Sequence, residues 1–242
     1  MSIFILKIIA ILTMTCDHIA CGFFDNKFIM RAIGRTAFVV YAFLLAESFR
    51  HIKDSKDRIK VHFIKLLFLA IISEITYMLF NKYLLHDYTQ HNVIITLLLA
   101  YISLLTQKKK YYNAFISISM IVLATYFKCE YGGAGVLLVI MFYYYCLKQD
   151  SLKSPIKLFI LLSILTIFWM HYLIQEFSLK LILVNFKMNI KWYYAYLCSL
   201  IPLVLYNNKL GYHSKTLNKI YSIYYPVHFF ILVLVKAVCL YV

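Results

Sequence analysis

The chain has 242 residues, of which 63% are apolar and 14% charged, with a mean hydropathy of +0.78 and a formal net charge of +15. A soluble domain is typically about half apolar and a quarter charged. This composition therefore excludes one and points to a single all-α domain over 1–242, a polytopic helical membrane bundle whose basic excess marks membrane topology, not a nucleic-acid partner.

Apolar runs of bilayer length begin at once. The first covers 3–24 and holds Lys7 inside the run. With no basic segment ahead of it, it reads as a retained helix and not a cleaved signal. Further spans are expected at 29–49, 61–81, 92–107, 112–128, 132–147, 156–175, 192–206 and 220–241, nine in all. The stretch "FSLKLILVNFKMNIK" (177–191) has too short an apolar core to cross alone and carries Lys180. It reads as interfacial or re-entrant, or as part of a tenth span. With the N-terminus in the cytoplasm, the inner loops carry fourteen Lys and Arg against seven outside. That bias favours N-in, C-out in a bacterial inner membrane. The six cysteines are scattered, without a CxxC pair or ligand-like histidine spacing, and read as small apolar membrane residues. No metal site is expected.

Ionisable side chains inside spans cost on the order of 2.5–3.5 kcal/mol each on insertion scales, so each asks for a partner or a function. "MTCDHIACGF" (14–23) puts Asp17 and His18 about two thirds of the way toward the outer surface. Arg31 and Arg35 share one face of the returning span. Glu74 reaches a similar depth in span 3, His91 and Asn92 open span 4 from outside, and Glu130 sits in "CEYGGAG". Polar groups of five segments thus meet one level. Adjacent helix residues point about 100° apart, so Asp17 and His18 do not pair directly. Asp17 is expected to turn toward an arginine of span 2, with His18 facing an internal cavity. A neutral imidazole there takes a proton from an attacking amine or hydroxyl; the alternative is a structural ion cluster of Asp17, His18 and Arg35. Glu47 sits at the inner end of span 2 near Arg50, and is read equally as a structural ion pair or as functional. Pro226 lies two residues before His228 in the last span and removes a backbone donor there.

Several stretches together resemble the TraX family, the membrane proteins similar to F-pilin N-terminal acetylases. They are "LKIIAILTMTCDHIA" (6–20), "IGRTAFVVYAFLLAESF" (33–49), "LLFLAIISEITYMLF" (66–80), "HNVIITLLLA" (91–100), "EYGGAGVLL" (130–138) and "YSIYYPVHFFIL" (221–232). Asp-His in the first span and Tyr-Pro-x-His in the last are the most specific parts. Val39, Ser48, Thr76 and Met78 depart from the pattern. Asp17, His18, Arg35, Glu74, Asn92, Thr96, Tyr225 and His228 keep to it.

The resemblance implies an acyltransferase that moves an acetyl group from acetyl-CoA to an acceptor amine, such as a peptide or pilin-like N-terminus. In that scheme His18 is the base, Arg35 with Asn92 holds the oxyanion, and Asp17 and Glu74 position them. Tyr225 and His228 line the thioester route, with Thr96 and Glu130 completing the supporting set. Arg50, Lys53, Lys56, Arg58 and Lys60 on the inner face attract the phosphates of the donor. Membrane lipids are the remaining partner. Other readings stay open at this stage: O-acetylation of a glycan or other hydroxyl, a proton-coupled carrier, or a non-catalytic assembly subunit.

Overall fold

The computed structural model describes residues 1–24, 27–85, 89–107, 112–147 and 198–241. Among these residues the chain is all helical, apart from one isolated parallel bridge between His91 and Cys129. In chain order the helices are α1 (Ile3–Phe23), α2 (Phe28–Ile52), α3 (Lys56–Phe80) running into a π-helical turn (Asn81–Leu85), α4 (Val93–Leu105), α5 (Asn113–Tyr126), α6 (Gly132–Leu147), α7 (Leu200–Val204) and α8 (Lys215–Tyr241). The expected span 156–175, the segment 177–191, the first part of span 192–206 and the basic segments 108–110 and 148–157 lie outside or largely outside the described residues.

Local chemistry explains where these helices start. Ser2 caps α1, its hydroxyl accepting from Ile5 N. Ser55 caps α3 by accepting from Arg58 N, and Asp57 lies in that first turn, where the helix dipole favours negative charge. Asn92 caps α4, its Oδ1 accepting from Ile94 N and Ile95 N. Helix α3 therefore begins five residues before the apolar run that sequence hydropathy marks. Hydropathy reports which part of a helix suits lipid, while capping reports where the helix begins.

Among the described residues four helices are long and apolar enough to cross a bilayer: Ile3–Phe23, Phe28–Ile52, Lys56–Leu85 and Thr216–Cys239. Helices α4, α5 and α6 are apolar but shorter. The outer surfaces are hydrocarbon. Helix α3 exposes Phe68, Ile71, Ile72 and Ile75, α5 exposes Phe115, Ile118 and Val122, and α8 exposes Phe230, Ile231 and Leu234. Contiguous apolar faces of this size are not stable in water, and they match a lipid environment. The chain is a helical membrane protein.

Helix α2 is the central post. Of its apolar window 56% is buried, against 28–33% for the other long helices. It packs on α1 and α6, while α8 lies against α3 and α1. The α1–α2 seam is close because small residues line it: Ala10, Ala20, Ala42 and Ala46 are fully buried. A Cβ added at Gly34 would collide with the side chain of Asp17. Toward the C-terminal end of α2, Phe43 packs edge-on against Phe142 and Tyr206, and Phe49 against Tyr101 and Tyr143. Residues 1–4 run beside 205–210, with Ile3 N donating to Lys209 O at 2.9 Å and Phe4 N to Leu210 O at 3.1 Å.

Candidate functional site

The helical twist separates Asp17 from His18, and the structure sends them to different neighbours. Asp17 turns to α2, where its Oδ2 lies 3.3 Å from Arg31 Nη1. Arg31 also donates to the Cys21 thiol. Its other oxygen, Oδ1, is buried and accepts no hydrogen bond from the described residues. His18 turns to α8, where its Nδ1 lies 2.8 Å from His228 Nε2. The two imidazoles stack with centroids 4.9 Å apart and planes 27° apart. Phe229 at 4.4 Å and Phe80 at 5.9 Å hold the His18 ring from its other sides. The first and last helices therefore meet at a histidine pair, both members less than a tenth exposed.

Arg35 lies one turn deeper on α2 than Arg31. Its Nη1 donates to the hydroxyl of Tyr131 at 3.0 Å. Tyr131 stacks on Phe38 of the same helix, with centroids 3.8 Å apart and planes 7° apart. The turn that delivers Tyr131 is unusual: Lys128, Tyr131 and Gly132 all have positive φ, at 50°, 63° and 47°. A left-handed tyrosine costs on the order of 1–3 kcal/mol, and such residues gather at working sites. Glycine supplies the same conformation at position 132 without a Cβ to clash. Gly135, one turn into α6, lets Phe38, Thr96 and Tyr131 close around it.

Glu130 lies on this connection, outside the helices. Burial pushes its carboxyl up to about 7, with the Arg35 and Arg31 guanidiniums pulling it down and Asp17 pushing it up. Thr96 Oγ1 donates to the Glu130 carbonyl at 2.5 Å, fixing the turn to α4. Asp17, His18, Glu130, Tyr131 and Tyr225 together line one cavity, which extends inward past Met14 to Tyr41. Its volume is about 30 Å³, room for a water and too little for a thioester in this conformation.

Glu74, Asn92 and Thr96 form a brace behind the cavity. Glu74 Oε1 lies 2.6 Å from His91 Nδ1, and its Oε2 accepts from Asn92 N at 3.0 Å and Asn92 Nδ2 at 2.5 Å. Asn92 Nδ2 also donates to Ala70 O at 3.3 Å, while Oδ1 caps α4. Both amide hydrogens of Asn92 thus have acceptors already, so it has no spare donor for an oxyanion. Glu74 ties α3 to the start of α4.

At the C-terminal end of α2, Arg50 stands differently from the lysines grouped with it. Its Nε donates to Glu47 Oε2 at 2.9 Å and its Nη2 to Glu47 Oε1 at 2.7 Å. His51 and Tyr206 meet the same carboxylate at 3.2 and 3.4 Å. That bidentate fork is matched to a carboxylate, so Arg50 is a poor first choice for holding phosphate. Lys56, Arg58 and Lys60 are exposed, and Lys53 is half-buried. Among the described residues no cluster of three or more His, Cys, Asp or Glu is arranged to hold a metal.

Sequence reasoning missed Tyr131, Gly34 and Tyr41. Gly34 carried a signal, since a glycine beside an intramembrane arginine marks a close helix approach. Tyr131 had none beyond its place next to Glu130. Compared with known families, the chain matches the family model described as TraX protein over residues 2–236. No curated protein and no solved structure matches it. With nearly its whole length covered, the chain belongs to the TraX family.

Proposed function

We propose that this TraX-family chain is an integral membrane acetyltransferase that moves an acetyl group from cytoplasmic acetyl-CoA to an acceptor amine of a peptide or pilin-like N-terminus. It sits in a bacterial inner membrane with nine spans, N-terminus inside and C-terminus outside. The observation that carries the reading is the convergence on one intramembrane cavity of a histidine, two carboxyl groups and the arginine-held Tyr131, in a chain matched end to end by the family.

His18 takes the proton of the acceptor amine as the nitrogen attacks the thioester carbonyl carbon. Arg35 faces the oxygen on which charge develops, and one such donor is worth roughly 3–4 kcal/mol in the transition state. The C–S bond then breaks, and His18 returns its proton to the departing thiolate. The amide gained and the free thiol released balance the thioester and amine consumed. Asp17 and Arg31 hold the α1–α2 seam that fixes Arg35 one turn away. Lys53, Lys56, Arg58 and Lys60 draw the anionic donor to the inner face. Because the cavity is water-sized, the donor enters only after the helices around Tyr41 and Met14 part.

The test is purified protein in lipid nanodiscs with radiolabelled acetyl-CoA, offered a peptide amine and a glycan hydroxyl in parallel. Wild type labels the peptide, and His18→Ala loses at least 10³-fold of the rate while keeping its melting temperature. Label on the glycan alone would reassign the acceptor. Undiminished transfer by His18→Ala would remove the imidazole from the chemistry, and proton flux without any CoA requirement would replace the enzyme with a carrier.

A further inference from the structure

A neutral imidazole has one donor nitrogen and one acceptor nitrogen. A chain of imidazoles anchored to a group that can only accept therefore has a single proton arrangement. The anchor here is the backbone carbonyl of Tyr224. His228 Nδ1 lies 3.1 Å from that oxygen and so carries the hydrogen it donates. His228 Nε2 is then the bare nitrogen, and it lies 2.8 Å from His18 Nδ1. His18 Nδ1 must donate to it, which leaves the lone pair of His18 on Nε2.

We propose that His228 is a positioning residue that locks His18 in the Nδ1–H form and makes His18 Nε2 the proton acceptor of the cavity. In hydrolytic triads a carboxylate fixes the tautomer of the catalytic imidazole. Asp17 cannot do so here, because it points to α2 and its Oδ2 lies against Arg31. A second histidine, itself held by a main-chain carbonyl, takes that place. The register between α1 and α8 is pinned by a second rung one turn away. Thr15 Oγ1 donates to Ile11 O at 2.9 Å, so Tyr224 OH is the donor in its 2.7 Å contact with Thr15. The Tyr224 ring lies parallel to His228, 5.5 Å away and 3° apart in plane. With Phe229 and Phe80 packed on His18, neither imidazole has room to flip and reverse the chain.

The catalytic consequence rests on the acetyl-transfer reading above, whereas the tautomer does not. Two-bond proton–nitrogen correlation spectra of ¹⁵N-histidine protein in nanodiscs read it directly, with the His18 signals assigned by their loss in His18→Gln. Wild type should show His18 with a protonated Nδ1 and a bare Nε2. His228→Phe removes the acceptor, so the Nε2–H form appears and acetyl transfer falls on the order of 10²–10⁴-fold, with KM moving less than about threefold. His228→Gln, whose side-chain oxygen sits where Nε2 was, should restore the Nδ1–H signal and part of the rate. A bare Nδ1 on His18 in wild type overturns the lock without needing any variant to fold, as does an unchanged spectrum in His228→Phe. The expected wild-type spectrum in a protein that transfers no acetyl group would uphold the lock and remove the acyltransferase reading.

Discussion

Helix α2 carries two buried charged clusters, and they differ in a way that separates framework from chemistry. At its C-terminal end Glu47 is closed on every side: Arg50 grips both oxygens, and His51 and Tyr206 meet the same carboxylate. Toward the other end, Asp17, His18, Glu130 and Tyr131 line a cavity, Arg35 reaches it through the Tyr131 hydroxyl, and Asp17 Oδ1 is left without a donor among the described residues. The charged partners of Glu47 all lie on α2, so this saturated set neutralises a buried carboxylate and reaches the rest of the bundle through Tyr206, and leaving either charge alone in low dielectric is costly. An incompletely satisfied set around a void is poised to bind something else. Burial alone does not distinguish the two, since Glu47 is the more buried of the carboxylates compared.

The contrast predicts opposite outcomes for matched substitutions. The largest effect is expected at Arg35: Arg35→Gln should lower kcat on the order of 10²–10³-fold with KM nearly unchanged, measured under saturating acetyl-CoA. A proportional rise in KM would instead make Arg35 a binding residue. Glu47→Gln should do the reverse. It removes one partner of a mostly buried pair, costing about 2–3 kcal/mol of stability, read as a lower thermal midpoint in detergent, while the folded fraction keeps its turnover. Gly34→Ala should sharpen the line between the clusters, because the new methyl meets Asp17. About 1–3 kcal/mol of overpacking strain is expected, together with displaced Arg31, so stability and rate fall together.

The smallest effect concerns acidity. The Glu130 carboxyl is raised from 4.5 to about 7 in the folded protein. Between those values the folded chain holds a proton that the unfolded chain has released, so stability declines as pH rises through this window and is level on either side. Glu130→Gln should flatten that decline in a series of thermal melts from pH 4 to 8. A wild-type melting curve that rises across the window would contradict the raised carboxyl.

Much of this was legible from the residues. Helices α1, α2, α4, α5 and α6 start or end within a few positions of their apolar runs, because in lipid every backbone group must be satisfied within its own helix. The runs understate α3 and α8, which extend through charged first turns, "KDRIK" and "KTLNK". The α3 turn is helical through the Ser55 cap and Asp57 at the positive end of the dipole, to which hydropathy is blind. Site residues stood out for the same reason that runs did: an acid, an imidazole or a guanidinium in hydrocarbon is conspicuous. What could not be read was pairing across the chain. His18 and His228 are 210 positions apart, and no local pattern sets which helix faces which. Nor does sequence spacing tell that Asn92 has both its amide hydrogens engaged, whereas the Glu47–Arg50 pair, three apart on one helix, was one of the two readings the spacing offered.

One detail of the α4 side has a dynamic consequence. Beyond the cap at Asn92, His91 N donates to Lys128 O and Glu130 N donates to His91 O, so two segments nearly forty residues apart are stitched like a scrap of sheet. Amide hydrogens at His91 and Glu130 should then exchange with solvent deuterium at one shared slow rate, released only when both strands of the stitch open. The wall bearing Glu130 and Tyr131 is thereby tied to the start of α4, which leaves the Met14 and Tyr41 side of the cavity to widen when a substrate is admitted.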